Sequence, residues 1–244
     1  MSTPSHDLIV FGATSFVGQI LTRYLAEHYG TQGTLKWAIA GRSEAKLAAL
    51  RNSLGLAAGR LPLLVADAAD EAALRHLCNG TRVVISTVGP YALYGEPLVK
   101  VCAETGTDYC DLTGEVQWIR RMIEAYEPAA RKSGARIVHC CGFDSIPSDL
   151  GVHFLQQQAR KRFGAPCTTV KMRVKAMRGG LSGGTAASCA SVSPARTWST
   201  AVATWHQTSR VGHRCERAQR VASSTQSTGA FLPSRALITS RAVI

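Results

Sequence analysis

The strongest constraint on the fold of this chain is an alternation of short apolar runs with amphipathic stretches, which extends from residue 7 to about residue 155. The apolar runs cover residues 8–11, 35–40, 61–66, 82–88, 107–112 and 135–141. Short runs that are rich in valine and isoleucine are typical of parallel strands with both faces covered. The alternation therefore predicts an α/β fold built on a doubly wound parallel sheet.

The stretches between these runs carry apolar residues at helical spacing. In the first stretch, one apolar stripe comprises Phe16, Ile20, Leu21, Tyr24 and Leu25. The later stripes are Ala45, Leu47, Ala48, Leu50 and Leu54; Leu74 and Leu77; Leu98, Val99 and Cys102; and Trp118, Ile119, Met122 and Ile123. Ser43 precedes the second stripe and is predicted to cap its helix.

The first apolar run leads into a glycine pattern of the kind that binds a dinucleotide. It comprises Gly12, Ala13, Thr14, Ser15, Phe16, Val17 and Gly18. Gly12 permits the tight turn after the strand, and Gly18 lets the helix pack close to the sheet. The N–H groups of the first helical turn then face the pyrophosphate. Ser15 stands where a glycine is usual, and its hydroxyl could itself bond a phosphate oxygen. The pattern predicts a Rossmann-type dinucleotide-binding domain over residues 1–145.

The end of the second apolar run favours NADP(H) over NAD(H). An NAD site usually has an acidic residue here, which accepts hydrogen bonds from the ribose hydroxyl. This chain has Arg42 and Ser43 instead, and the first acid after the strand is Glu44. A guanidinium offers several donors to a 2′-phosphate, and a serine hydroxyl adds one more.

Two later positions complete the predicted cofactor site. Asp67 follows the third run, where its side chain either reaches the adenine edge or caps the next helix. Val88, Gly89 and Pro90 follow the fourth run, where Gly89 allows the backbone to approach the nicotinamide ribose and Pro90 defines the turn. Ligands of such sheets bind beyond the carboxyl ends of the strands, where this loop lies.

The pattern changes after residue 145. A helix over 148–162 and a strand over 168–176 predict the start of a second α+β domain over residues 146–187. Residues 188–244 are rich in serine, threonine and arginine and show no apolar period. They are interpreted either as a natural disordered tail or as an out-of-frame translation, and the second interpretation is favoured.

The chain has a formal net charge of +12, and a strong positive charge is typical of nucleic-acid-binding domains. However, the basic residues form no stripe with interleaved aromatic residues, and many lie in residues 188–244, where Glu216 is the only acid. A nucleic-acid surface needs such a stripe on one folded face. We therefore expect no nucleic-acid partner.

The remaining composition argues against a metal or membrane protein. The eight cysteines form no CxxC pair and no cluster with zinc-ligand spacing, so we expect reduced thiols and no metal. No apolar run reaches the ~18 residues of a membrane-spanning helix, and residues 1–7 lack the features of a secretory signal. We expect a cytoplasmic protein without a transmembrane segment.

Six blocks of the sequence resemble the saccharopine dehydrogenase-like oxidoreductases, and among them the trans-acting enoyl reductase branch. The blocks are 12–18, 40–42, 87–95, 106–115, 142–149 and 179–185, within a resemblance that covers about residues 5–187. Ser15 departs from the commoner glycine. The resemblance stops after Thr185, where family members continue with a substrate and dimerisation domain. It therefore implies a homodimer if that domain is complete.

The resemblance implies hydride transfer from the nicotinamide of NADPH. In the enoyl reductase branch the acceptor is the β-carbon of an unsaturated acyl thioester, and a proton goes to the α-carbon. In saccharopine-forming enzymes the acceptor is an imine. A truncated, non-catalytic NADP-binding protein is the third alternative. The short-chain dehydrogenase mechanism is excluded, because no tyrosine has a lysine four residues later.

No acid or base can be assigned from the sequence, and the catalytic candidates rest on position alone. They follow the fourth, fifth and sixth runs and comprise Tyr91, Asp111, Asp144 and Ser145, with Tyr94 and Glu115 as further substrate contacts. Helix caps and turn residues are the alternative interpretation of these positions. His139 lies in an apolar run and is interpreted as a core histidine.

Overall fold

The computed structural model describes residues 4–31, 33–55, 60–143 and 145–172. Its strands are β1 (His6–Phe11), β2 (Trp37–Gly41), β3 (Leu63–Val65), β4 (Thr81–Ser86), β5 (Asp108–Asp111) and β6 (Ile137–Val138). Its helices are α1 (Phe16–Tyr29), α2 (Glu44–Ser53), α3 (Glu71–Asn79), α4 (Tyr91–Tyr94), α5 (Glu96–Thr105), α6 (Val116–Ser133) and α7 (Ile146–Phe163). The described residues belong to two compact units, and the boundary falls between Gly142 and Phe143.

The first unit is built on one six-stranded sheet with the strand order β3-β2-β1-β4-β5-β6. Every pair of neighbouring strands is parallel. The order reverses direction between β1 and β4, which creates a crevice at the carboxyl ends of those two strands. The predicted doubly wound parallel sheet is confirmed.

The two faces of the sheet carry separate hydrophobic clusters. Ile9 and Phe11 of β1 belong to the larger cluster, together with residues of α3, α5 and α6 such as Leu74 and Trp118. Val10 lies between them in β1 and belongs to the other cluster, with Leu25 of α1 and Leu47 of α2. Since successive side chains of a strand point to opposite faces, helices cover both faces of the sheet.

Only part of the predicted apolar stripe of α1 lies on the buried face of the helix. The buried residues are Gly18, Thr22 and Leu25, whereas Phe16 and Ile20 are 68% and 52% exposed. The apolar stripe was wrong here because it followed apolar spacing alone, although Gly18 itself was expected to pack close to the sheet. Close contact of Gly18 with the turn after β1 determines which face of the helix meets the sheet.

Other boundaries also differ from the predictions. β3 and β6 have three and two residues, fewer than the apolar runs 61–66 and 135–141. The second unit contains α7, which begins and ends close to the predicted helix over 148–162. Residues 168–172 form no strand, and the rest of the predicted strand over 168–176 lies outside the described residues, as does the segment 188–244.

Within the described ranges, no helix is long and apolar enough to cross a membrane.

Candidate dinucleotide-binding site

The turn after β1 can be formed only by glycine at its first position. Gly12 has a φ of +82°, which an L side chain rarely adopts. A Cβ atom there would also lie 2.6 Å from Val88 Cγ2 and 2.9 Å from Thr87 Oγ1. Gly12 therefore allows the turn after β1 to contact the end of β4. These two segments form the two sides of the crevice.

Ser15 caps α1 and brings its first N–H groups into position. Its Oγ accepts a hydrogen bond from Gly18 N at 3.0 Å. Among the described residues, no acceptor bonds the N–H groups of Thr14, Phe16 and Val17. Unpaired N–H groups at a helix N-terminus suit an anion such as a pyrophosphate. The space above the turn at Gly12 and the N–H groups at the start of α1 together suit the phosphates of a dinucleotide.

The hydroxyl hydrogen of Ser15 is directed to Thr87, and its expected contact with a phosphate oxygen stays a prediction. Ser15 Oγ donates to Thr87 Oγ1 at 2.9 Å, and Thr87 Oγ1 donates to Gly12 O at 2.8 Å. These two hydrogen bonds connect the turn after β1 to the end of β4. Thr87 was not among the predicted site residues, although a serine in a glycine position already implies a nearby hydrogen-bond partner.

Arg42 directly follows β2 and is exposed. No described residue forms a hydrogen bond or an ion pair with its guanidinium, and its expected contact with a 2′-phosphate stays a prediction. Ser43 Oγ accepts from Lys46 N at 3.4 Å and caps α2 as predicted. That bond uses a lone pair of the hydroxyl oxygen and leaves its hydrogen available.

Asp67 has a turn role in the structure. Its Oδ1 accepts from Ala69 N at 2.9 Å, whereas α3 is capped by Asp70, which accepts from Ala72 N and Ala73 N at 3.0 Å. The expected contact of Asp67 with adenine stays a prediction.

The loop after β4 is anchored by the buried carboxylate of Glu115. Val88 and Gly89 lead into a cis Gly89–Pro90 peptide, after which α4 begins. Glu115 accepts the N–H of Tyr91 at Oε1 and that of Ala92 at Oε2, each at 2.8 Å. Glu115 is 1% exposed, so its contacts lie in the framework beneath the loop.

Replacing Glu115 with glutamine is expected to lower the free energy of unfolding by about 2–3 kcal/mol. The amide has one acceptor oxygen, so its NH₂ group would face a buried backbone N–H. Urea denaturation measures the effect. Glu124→Gln is the matched control, because Glu124 is 59% exposed and pairs with Arg120 on the surface of α6. That change should cost at most about 0.5 kcal/mol. Equal losses in the two variants would contradict this role of Glu115.

Tyr91 and Asp111, two of the catalytic candidates, are both buried and bonded within the first unit. Tyr91 OH donates to Ser86 O at 3.0 Å, and burial raises the pKa of this phenol far above its usual range. Asp111 Oδ1 accepts from Thr113 N and Cys140 N, each at 3.1 Å. These contacts give both residues a structural role, and their catalytic role stays a prediction.

Asp111 also binds a residue that the sequence analysis placed in the core. Its Oδ2 accepts from Tyr109 OH at 2.9 Å and lies 2.7 Å from His139 Nδ1. The imidazole is buried, as expected of a core histidine, but it is paired with a carboxylate at the carboxyl edge of the sheet. The pairing was not predicted, because the apolar neighbours of His139 in the sequence conceal it.

The remaining catalytic candidates lie beyond the first unit or outside the described residues, whereas Tyr94, a predicted substrate contact, is exposed at the end of α4. Ser145 precedes α7 in the second unit and makes no side-chain capping bond. Asp144 lies outside the described residues. Within the described ranges, no group of histidine, cysteine or acidic side chains is arranged to hold a metal ion.

A family model described as the saccharopine dehydrogenase NADP binding domain matches residues 8–138. A Mycobacterium tuberculosis protein, provisionally named a trans-acting enoyl reductase, is 46% identical over 182 residues, which are 75% of this chain and 43% of that protein. The trans-acting enoyl reductase of Mycobacterium leprae is 44% identical over 164 residues, which are 67% of this chain and 38% of that protein.

The chain thus spans less than half the length of these curated relatives. Among solved structures, the apo saccharopine dehydrogenase (L-Glu forming) from Saccharomyces cerevisiae matches with a TM-score of 0.47 and 21% identity. The match covers 64% of this chain and 32% of that one.

Proposed function

Because the chain belongs to the saccharopine dehydrogenase NADP-binding domain family, we propose that it is an NADPH-dependent oxidoreductase that reduces the carbon–carbon double bond of an enoyl acyl substrate. The observation that carries the cofactor part is Arg42. Its guanidinium follows β2, where the ribose of the adenosine half would lie. A free, exposed guanidinium at that point attracts a 2′-phosphate and offers no acceptor to a 2′-hydroxyl.

The residues of the first unit bind and orient the cofactor in this proposal. The N–H groups of Thr14, Phe16 and Val17 would bond the pyrophosphate at the N-terminus of α1. The loop of Val88, Gly89 and Pro90 would flank the nicotinamide ribose. When bound, NADPH supplies the hydride. The protein contributes the position and the electrostatic environment of the acceptor.

The enoyl part of the proposal rests on relatives that carry the name trans-acting enoyl reductase. Their acceptor would be an α,β-unsaturated acyl thioester. Since this chain corresponds to less than half of each of them, the test has to measure cofactor binding and turnover separately.

A fluorescence titration of the full chain with NADPH and NADH tests the cofactor. We expect micromolar affinity for NADPH and an affinity for NADH that is at least about tenfold weaker. A tenfold difference corresponds to about 1.4 kcal/mol, which one charge-assisted hydrogen bond can supply. Equal affinities for the two cofactors would contradict the assignment of Arg42. Failure to bind either would contradict the dinucleotide site itself.

Turnover is tested by the loss of reduced-nicotinamide absorbance with crotonyl-coenzyme A as acceptor. Oxidation of NADPH by this enoyl thioester is the expected result. Oxidation by an imine formed from an amino acid and an oxo acid, and not by the thioester, would support the saccharopine-type alternative. Tight NADPH binding without oxidation by either acceptor would support the non-catalytic alternative.

A further inference from the structure

Asp111 and His139 form a buried acid–imidazole pair at the carboxyl edge of the sheet. β5 and β6 pair with Cys110 opposite Val138, so Asp111 and His139 are the next residues on the two strands. His139 Nδ1 lies 2.7 Å from Asp111 Oδ2. The two side chains are 6% and 0% exposed, respectively. A carboxylate and an imidazole held this close constitute a unit that can hold and transfer a proton.

The surroundings of Asp111 determine which nitrogen of His139 carries hydrogen. Both carboxylate oxygens are surrounded by donors: Tyr109 OH and His139 at Oδ2, and Thr113 N and Cys140 N at Oδ1. Since an ionised carboxylate only accepts hydrogen bonds, Nδ1 is the protonated nitrogen of the neutral ring. Nε2 then has the lone pair and becomes an N–H donor when the ring is charged.

The plane of the imidazole is held by aromatic rings that meet it edge to face. Trp118 contacts it with a centroid distance of 5.2 Å and an interplanar angle of 76°, and Tyr109 with 5.8 Å and 67°. With Nδ1 facing Asp111, Nε2 lies on the opposite side of the ring. No residue that the structure describes forms a hydrogen bond with Nε2, so this atom has no partner among them.

The titratable groups next to the Asp111–His139 pair are unsuited to donate a proton to a substrate. Burial raises the pKa of Tyr109 and that of Tyr91 well above the usual range, so both phenols stay neutral. Burial likewise raises the pKa of the Cys110 thiol to about 12. Among the described residues, Glu115 is a second buried carboxylate of this region, and both its oxygens accept backbone N–H groups of α4.

The pair lies on the side of the crevice where the reacting end of the cofactor belongs. Arg42, at the end of β2, marks the adenosine side. The nicotinamide half therefore extends the opposite way, over the ends of β4 and the strands beyond it. Asp111 is opposite Ser86, the last residue of β4, and His139 follows on the next strand, about 4.8 Å further along the sheet.

We propose that His139 is the proton donor of the reduction and that Asp111 is its positioning residue; this inference rests on the function proposed above. When bound, NADPH would supply the hydride for a new C–H bond at the β-carbon, and the π electron pair of the double bond would move to the α-carbon and the thioester carbonyl. The Nε2–H bond of the charged ring then breaks, and the α-carbon gains that proton. The imidazole then takes up one proton from the solvent and is charged again. One enoyl thioester, one NADPH and one proton thus give one saturated thioester and one NADP⁺.

His139→Asn separates this role from a purely structural one. The asparagine amide can still donate to Asp111 in place of Nδ1, but it has no group that titrates. We expect the affinity for NADPH to stay within about twofold, because His139 does not hold the cofactor. With crotonyl-coenzyme A, kcat should fall by about 10²-fold or more. His76→Asn, at an exposed position of α3, is the matched control and should leave kcat unchanged.

A second measurement does not depend on turnover. In ¹H–¹⁵N spectra of the histidine rings, the His139 signals are those missing from His139→Asn. Adding crotonyl-coenzyme A to the wild-type complex with NADP⁺ should shift the Nε2 signal. An unchanged signal, or a variant with the wild-type kcat, would overturn the proposal. A shift without any NADPH oxidation by the wild type would support the ligand contact of His139 and refute the reductase function.

Discussion

Gly18→Ala is expected to abolish measurable NADPH binding and to lower the free energy of unfolding by about 1–3 kcal/mol, the usual cost of forcing a methyl group into a filled space. The new Cβ would overlap the carbonyl oxygen of Gly12 and lie 2.8 Å from Ala13 Cα. These are backbone atoms of the turn that faces the crevice. Relief of the overlap therefore requires α1 or the turn to move.

Gly151→Ala is the matched control for Gly18→Ala. Gly151 is also a helical glycine, but nothing lies within 4 Å of the position that its Cβ would take. Removing a glycine from a helix interior should stabilise the protein by about 0.5–1 kcal/mol. Urea denaturation and NADPH titration of both variants test the contrast. If Gly18→Ala bound NADPH as tightly as Gly151→Ala does, the close approach of α1 to the β1 turn would not be required for binding.

Arg42→Gln is expected to weaken NADPH binding by about 10–100-fold and to leave NADH binding unchanged. A hydrogen bond to a charged partner contributes about 1.5–3 kcal/mol, and the 2′-phosphate is the group that distinguishes the two cofactors. The loss should shrink at high salt, because the guanidinium is exposed and its attraction for the phosphate is screened. Stability should not change, since no described residue depends on this side chain.

Arg121→Gln removes the same charge from an exposed position of α6 and is the control for the change in net charge. Fluorescence titrations of both variants with both cofactors provide the comparison. Parallel losses of NADPH and NADH affinity in Arg42→Gln would show that Arg42 supports the fold of the site and does not select the 2′-phosphate.

The local patterns were sufficient for the architecture and for much of the candidate cofactor site. Six apolar runs in alternation with amphipathic stretches predicted a doubly wound parallel sheet, because both faces of such a sheet have to be covered. The turn at Gly12 and the cap at Ser43 were predictable because both depend on a few consecutive residues. The absence of an acid beside Arg42 likewise favoured NADP(H) from the sequence alone.

Apolar spacing did not predict the buried face of α1, although Gly18 was expected to pack close to the sheet. Apolar spacing favoured a stripe that included Phe16 and Ile20, yet both are exposed. A residue without a side chain, Gly18, lies against the turn, and Thr22 is buried beside it with its hydroxyl bonded to Gly18 O at 2.7 Å. Hydrophobic periodicity measures the side chains of one helix and contains no information on how closely its backbone approaches another segment.

The sequence by itself determined the fold class, the place of the dinucleotide turn and the preference for NADP(H), because these properties depend on local composition and spacing. The tertiary structure alone decided the partners of the buried polar groups. Thr87 joins Ser15 across 72 positions, Glu115 supports α4 across 24, and His139 pairs with Asp111 across 28. Each pairing arises because parallel strands bring their carboxyl ends to one edge of the sheet. There, a buried hydroxyl, carboxylate or imidazole must find its hydrogen-bond partner on a neighbouring strand or loop.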